Sequence, residues 1–225
     1  MRIIAIDTTT PSGSVALLED DRVLGEIGIE SASTHSTRLL LSVDFLLNTQ
    51  GLSIGDIDGF AVTPGPGSFT GLRIGLSTVK AFSFATGKPV ARVSSLLALA
   101  YKHIDGAEGL IGPMLDAKKG EIYAALYSRN GGRLKEIVPQ GAYAPEEFLK
   151  LLPRRITVFA GSGTLLCRKR LQALLGDKVR FSARPAFLAV ETGRLGLEIL
   201  MSGKGVDSTA VAPVYFRRSQ AEEGR

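Results

Sequence analysis

The apolar positions near the start of the chain form short strand-like runs and then a helical repeat. Residues 2–7 (RIIAID) and 14–18 (SVALL) are apolar runs, and the TTTPSG segment between them predicts a hairpin. A third strand is expected around 22–29. Ser31–Thr34 can then cap a helix that ends at Gly51. The apolar residues of this helix recur at helical spacing: Leu39, Leu40, Val43, Leu46 and Leu47.

The pattern then changes to alternating strands and helices. A strand at 59–63 leads into the glycine-rich segment PGPGSFTG, and a long helix is expected over 72–85. Gly87 and Pro89 end that helix, the segment PVARV is the next strand, and a helix over 95–102 follows. The first hundred residues therefore predict one complete α/β lobe.

The second half of the chain repeats the opening pattern. Segment IGPMLDAKKGEIYAALYSRNGG again reads strand, Asp, polar turn and alternating strand, so that Asp116 corresponds to Asp7. Strands at 156–160 and 178–181 and helices ending at 175 and covering 189–201 follow. We predict an α/β protein of two duplicated actin-like lobes (the ASKHA, RNase H-like class), with mixed sheets flanked by helices. The expected lobes are 1–104 and 105–225.

The composition limits the class of protein and the cellular compartment in which it works. The chain has 225 residues, of which 44% are hydrophobic and 22% charged, which excludes wholesale disorder and suits two small lobes. No apolar run is long enough to cross a bilayer, and the N-terminus resembles a first strand more than an export signal. Cys167 is the single cysteine, so we expect a cytoplasmic protein without internal disulfides. The net charge of +5 weakly favours an acidic partner, either nucleic acid or protein.

The glycine-rich segment at 64–71 has two interpretations. Gly65, Gly67 and Gly71 could leave backbone N–H groups free to cradle a phosphate at a helix start. They could equally form a tight strand-to-helix turn that lets the helix pack closely, which spacing alone favours. The segment is not a Walker loop, because no Lys-Ser or Lys-Thr follows its last glycine.

The two aspartates also leave alternatives open. In catalytic proteins of this fold class, equivalent aspartates help to hold a magnesium nucleotide, which would make this chain an independent ATP-dependent kinase or ATPase. The Asp7–Thr8 turn and the GSGT turn with Gly161 and Gly163 would then contact the nucleotide. Asp7 and Asp116 could instead cap their own hairpin turns.

Conventional catalytic groups are scarce. The chain has two histidines, His35 and His103, and neither has a ligand at metal-binding spacing. We therefore expect no catalytic residue and no metal ligand. His103 is expected to end a helix, where a cation suits the helix dipole.

The two first-lobe helices carry more apolar residues than one buried face needs. The 72–85 helix is apolar nearly all round, and Leu41 and Phe45 lie four residues apart on a second face of the earlier helix. Either the helices cover both faces of a sheet, or the extra residues dock onto a protein partner.

At these segments the sequence resembles the TsaB (YeaZ) family. The resemblance rests on IIAIDTTTPSGSVALL, HSTRLLLSVDFLL, PGPGSFTGLRIGLSTVKAFSFATGKPVARVSSLLALA, DAKKGEIYAALY and APVYFRR. It implies an actin-like, non-catalytic subunit that works with TsaD and the ATPase TsaE to make threonylcarbamoyladenosine in tRNA. TsaD would carry the metal, TsaD and TsaE would use ATP, and this chain alone would hold no cofactor. Contact with tRNA would be indirect, with no membrane involvement.

The resemblance also implies a pairing surface on the first-lobe helices, toward TsaD or toward a second copy as a homodimer. Carried onto this chain, that surface falls on His35, Leu39, Val43, Leu46, Arg73, Ser77 and Lys80. TsaD has two metal-binding histidines separated by three residues, just after the strand that follows its corresponding helix. Here Ser94, Ser95, Leu96 and Leu97 supply no imidazole, so TsaD-like chemistry is not expected. Ser36-Thr37-Arg38 departs from the family pattern, which has an acidic residue after the serine.

Overall fold

The computed structural model describes residues 1–30, 35–105 and 109–216. The chain forms two compact units. Unit 1 comprises Met1–Ala98 with Ala186–Val214, and unit 2 comprises Leu99–Pro185 with the described residues after Val214. No helix in these described ranges is long and apolar enough to cross a membrane.

Unit 1 is built on a five-stranded mixed sheet in the order β3-β2-β1-β4-β5. Its strands are β1 (Arg2–Asp7), β2 (Ser12–Glu19), β3 (Arg22–Glu30), β4 (Gly59–Val62) and β5 (Val90–Arg92). The first three pair antiparallel, whereas β4 and β5 run parallel to β1. The predicted hairpin and the third strand are confirmed.

Six α-helices accompany the two sheets in the described part of the chain. They are α1 (His35–Thr49), α2 (Phe69–Thr86), α3 (Ser95–Tyr101), α4 (Pro145–Lys150), α5 (Thr164–Leu175) and α6 (Ala189–Met201). The Ser31–Thr34 segment, expected to cap α1, lies outside the described residues. Helix α2 begins three residues earlier than expected, because the Ser68 hydroxyl accepts the Gly71 N–H at 3.3 Å and caps it.

Both faces of the first sheet are covered, which explains the unbroken apolar run in β1. Ile4 and Ile6 face α1 and α2, whereas Ile3 and Ala5 face α6. Strands buried on both faces need apolar residues at consecutive positions, not at alternate ones. All four side chains are at most 1% exposed.

Helix α6 packs on the sheet of unit 1, whereas the expected lobe boundary puts its residues in the lobe at 105–225. Ala189 and Leu197 of this helix contact Ala5 and the rest of the apolar cluster on that face. At the start of the helix, the Leu188 and Ala189 N–H groups both donate to the buried Ser14 hydroxyl at 3.0 Å. This cap holds the helix on β2.

Unit 2 repeats the topology of unit 1. Its strands are β6 (Leu110–Lys118), β7 (Glu121–Asn130), β8 (Arg133–Tyr143), β9 (Thr157–Ala160) and β10 (Val179–Phe181). Their order, β8-β7-β6-β9-β10, matches that of the first sheet strand for strand. Helices α4 and α5 cover one face, with Phe148, Cys167 and Leu171 in the core. The burial of Cys167 raises the pKa of its thiol, in keeping with a structural residue.

Two elements of unit 2 were missed from sequence. Strand β8 is not predicted, because it is an edge strand with one buried residue, Val138, so it lacks an apolar run. Helix α4 spans six residues, which is too short to show a helical repeat.

Candidate partner-binding surface and hairpin turns

Helices α1 and α2 contact each other on one face of the first sheet and leave their outer sides exposed. Large apolar side chains lie on these outer sides. Leu41 is 64% exposed, Phe45 60% and Phe84 84%, and Leu40 is more than half exposed. We define the α1/α2 outer face by these four residues together with Arg73 and Ser77, which are also exposed.

The face of α1 that is expected to bind a partner is instead the face that packs in the core, so that prediction is wrong. Leu39, Val43 and Leu46 are only 1%, 4% and 6% exposed and belong to the main apolar cluster of unit 1. Residues spaced i, i+4 and i+7 form the stripe that a helix buries against its own sheet. The informative signal was instead the second apolar pair, Leu41 and Phe45, on the opposite side of the helix.

The remaining residues of the predicted surface are on or near the outer face. Arg73 and Ser77 are exposed on α2, and Lys80 is half-buried at its flank. Arg73 lies over the Phe69 ring at 5.4 Å. Helix α1 begins at His35, but the side chains of residues 35–37 lie outside the described part.

A shallow cavity of about 420 Å³ lies between α1 and the edge strand β3. Its lining combines apolar groups with one acidic and one basic side chain: Ile27, Gly28, Glu30, Arg38, Leu41, Ser42 and Phe45. The outer face therefore continues from α1 onto the edge of the sheet.

The glycine-rich segment holds the hairpin turn of its own unit. A side chain at Gly67 would overlap the Thr9 carbonyl, and one at Gly71 would overlap the Thr8 carbonyl. The Ser68 N–H donates to the Thr9 carbonyl at 2.7 Å, and the Thr8 hydroxyl donates to the Gly71 carbonyl at 2.7 Å. The β1–β2 turn thus occupies the space that these glycines leave, which accounts for them as close-packing positions.

Ser95 anchors the start of the same segment. Its hydroxyl donates to the Pro66 carbonyl at 2.5 Å, and its N–H donates to the Gly65 carbonyl at 3.0 Å. Gly65 has φ +133°, a backbone conformation that other residues rarely adopt. Ser95 lies in the segment that corresponds to the expected histidine motif of TsaD. In this chain its hydrogen bonds hold the start of the glycine-rich segment in place.

Asp7 is buried at the end of β1 and caps its own turn. One carboxylate oxygen, Oδ1, accepts hydrogen bonds from the Thr9 hydroxyl at 2.6 Å and the Thr63 hydroxyl at 2.5 Å. The same oxygen accepts the Thr9 N–H at 3.2 Å. These contacts are those of an Asx turn braced by a neighbouring strand.

Asp116 makes the equivalent turn in unit 2. Its Oδ1 accepts the Lys118 N–H at 2.7 Å, and its Oδ2 pairs with the Lys118 ammonium at 3.1 Å.

The GSGT turn packs against strand β6, as the glycine-rich segment packs against the β1–β2 turn in unit 1. The Gly163 N–H donates to the Met114 carbonyl at 3.0 Å, and Gly161 has φ +96°. A side chain at Gly163 would come within 2.9 Å of the Leu115 backbone.

His103 lies in the turn after α3 and is only 7% exposed. Burial, followed by the charges of Arg184, Lys102 and Arg129, lowers the pKa of its imidazole to about 4. The Arg129 guanidinium donates to the His103 carbonyl at 2.7 Å. The expectation of a cationic His103 is therefore wrong, because desolvation and three nearby cations favour the neutral form.

Comparison with known proteins identifies the family. Residues 25–184 match the family model of TsaD, the tRNA N6-adenosine threonylcarbamoyltransferase. TsaB of Bacillus subtilis is 33% identical over 99% of this chain and 96% of its own length. TsaB of Escherichia coli is 32% identical over 98% of this chain and 96% of its own length. Both are named tRNA threonylcarbamoyladenosine biosynthesis proteins.

Solved structures agree. YeaZ from Pseudomonas aeruginosa has a TM-score of 0.81 and 28% identity, covering 95% of this chain and 99% of that chain. The activator of 2-hydroxyisocaproyl-CoA dehydratase from Clostridium difficile has a TM-score of 0.52 at 12% identity, covering 91% of this chain and 97% of that chain, a likeness of fold alone. The predicted class of two duplicated actin-like lobes is confirmed, and the chain belongs to the TsaB (YeaZ) family.

Proposed function

We propose that this chain is the non-catalytic scaffold subunit of a cytoplasmic complex with TsaD and TsaE. That complex makes N6-threonylcarbamoyladenosine in tRNAs that read codons beginning with A. The chain docks onto TsaD through the α1/α2 outer face and keeps TsaD in an active state. ATP and the metal are held by TsaD and TsaE.

The observation that carries this proposal is the exposure of Leu41, Phe45 and Phe84 on one side of the first unit. Complete burial of an exposed side chain of this size is worth at most roughly 1.5–3 kcal/mol, so several of them favour a protein partner. The cavity beside Leu41 and Phe45 adds a concave element that a partner side chain can fill.

Pairing with TsaD is tested by co-purification of a tagged full-length chain with TsaD. A Leu41→Asp/Phe45→Asp variant should lose at least about a hundredfold in affinity, because two charges would be buried in an apolar interface. The matched control is Leu151→Asp/Leu165→Asp, which places the same charges on exposed leucines of unit 2. Equal binding by the variant and the control would contradict the docking surface.

The non-catalytic role is tested by activity. The chain alone should form no threonylcarbamoyladenosine, whereas addition of TsaD, TsaE, ATP and threonylcarbamoyl-adenylate should give product. Product formed without TsaD would overturn the proposal.

Micromolar binding of Mg-ATP with turnover by the isolated chain would favour the independent kinase or ATPase instead. Gel filtration of the same Asp variants shows whether a second copy uses this face when TsaD is absent.

A further inference from the structure

The positive charge of the chain is concentrated in one stretch of unit 2. Residues 148–190 contain nine Lys and Arg but one acidic residue, Asp177. One of the nine, Arg170, is paired with Glu146 of α4 at 2.8 Å. The stretch around strand β10 therefore carries a large excess of positive charge.

The structure brings six of these cations together at the β10 edge of the sheet. We call this surface the basic edge, and all six of its residues are exposed: Arg154, Arg155, Arg168, Lys178, Arg180 and Arg184. The Lys178 ammonium donates to the Arg154 carbonyl at 3.3 Å, which joins the loop before β9 to the start of β10. The Arg168 guanidinium from α5 lies over the Phe181 ring at 4.4 Å.

The hydrogen bonds that these side chains donate in the described part of the chain go to backbone carbonyls. Arg180 donates to the Val179 carbonyl at 3.0 Å, and Arg184 donates to the Lys102 carbonyl. Carbonyl contacts fix the guanidinium groups in place but leave their positive charge uncompensated. Arg184 also lies near His103, whose pKa is lowered first by burial and then by the charge of Arg184.

We propose that the basic edge binds the phosphate backbone of RNA. Five of its six cations are arginines, whose planar guanidinium groups match phosphate oxygens bidentately. Their placement on two loops, a helix and an edge strand suits a long polyanion that can contact them in succession. The identification of this RNA as the tRNA substrate rests on the proposed function.

The test is the affinity of the full-length chain for a purified tRNA, measured over about 50 to 200 mM salt. An Arg154→Gln/Arg155→Gln/Lys178→Gln variant should bind at least about tenfold more weakly near 100 mM salt. Its slope of log K against log salt should be shallower by about 2 to 3, because three phosphate contacts are lost. Glutamine keeps most of each aliphatic stem, so packing changes little.

The control is Arg22→Gln/Arg194→Gln/Lys204→Gln, which removes three charges from exposed residues of unit 1. The affinity of this control variant for tRNA should stay within about threefold of that of the unaltered chain. Equal weakening by both triple variants, an unchanged affinity of the first variant, or no RNA binding by the unaltered chain would each overturn the inference. Loss of TsaD binding with RNA binding retained would identify an acidic protein surface instead, and would also overturn it.

Co-purification with TsaD is measured on the same variants, so that the two proposals can fail separately. If the unaltered chain binds RNA but not TsaD, the scaffold role fails and the basic edge stands. If TsaD is retained by every variant and the RNA results are negative, only the basic edge fails.

Discussion

The two units share one strand order but present different helices to solvent. In unit 1 the layer on the sheet is made by α1 of 15 residues and α2 of 18 residues. The corresponding helices of unit 2, α4 and α5, have 6 and 12 residues. The longer helices carry a second apolar side beyond the one that packs on the sheet. Strand pattern therefore determines the duplicated fold, whereas helix length and composition determine what each unit can bind.

Charge separates the units in the same way. Residues 1–98 contain 7 Lys and Arg against 9 Asp and Glu, whereas residues 99–185 contain 15 against 8. The net charge of the whole chain conceals this division. An apolar surface on an acidic unit and a cationic surface on a basic unit are suited to different classes of partner.

The largest expected effect separates the core side of α1 from its outer side. Leu39→Ala should lower the free energy of unfolding by about 3 to 4 kcal/mol, because it leaves a cavity in the unit 1 core. Leu41→Ala should change that free energy by less than about 0.5 kcal/mol, because Leu41 is mostly exposed. Urea denaturation measures both changes in stability, provided that the dependence of the unfolding free energy on urea concentration is the same in each variant.

Affinity for TsaD should reverse this order. Folded Leu39→Ala should bind TsaD with nearly unchanged affinity, whereas Leu41→Ala should bind more weakly. If Leu39→Ala left stability unchanged and Leu41→Ala were strongly destabilising, Leu41 would lie on the core side of α1 and Leu39 on its outer side.

The next effect compares one tightly packed glycine from each unit. Gly71→Ala should lower the free energy of unfolding by about 3 kcal/mol, because its methyl group would overlap the Thr8 carbonyl and displace the β1–β2 turn. Gly163→Ala should cost less, about 1 to 2 kcal/mol, because its nearest backbone atoms would be 2.9 Å away. Gly55→Ala is the control, since its nearest atom would be 3.6 Å away in the Ser53 side chain.

Thermal or urea unfolding ranks the three glycine variants. A neutral Gly71→Ala would show that the hairpin turn does not pack tightly in the glycine-rich segment. It would then reopen the interpretation of that segment as a phosphate cradle.

The sequence predicted the fold well, because strands buried on both faces leave long apolar runs. The Asp-containing turns also correspond in the two halves, and the structure gives Asp7 and Asp116 the same capping role. Strand β8 and helix α4 escaped prediction because an exposed edge strand and a six-residue helix carry little periodicity.

The candidate sites were harder to predict. Apolar spacing identifies a helix face but does not say whether sheet or partner covers it, which is why Leu39 and Val43 were misplaced. The basic edge was not visible as a tract, because its residues are spread over 154–184 and meet only when β9 and β10 pair. Such surfaces depend on tertiary structure, which spacing along the chain does not encode.

The electrostatic contrast between the units is tested through His103. The pKa of this residue is about 4 in the folded chain against 6.5 for an ordinary histidine. Between these values the unfolded chain takes up the proton more readily, so stability should fall as pH drops from about 6.5 to about 4. The loss attributable to His103 is on the order of 3 kcal/mol, from the difference between these two pKa values. Comparison of urea midpoints for the unaltered chain and His103→Gln isolates this loss. Arg184→Gln should raise the His103 pKa in an NMR titration, since it removes one nearby cation. A His103 that titrates near 6.5 in the unaltered chain would show that neither burial nor the cations of unit 2 act on it as the structure requires.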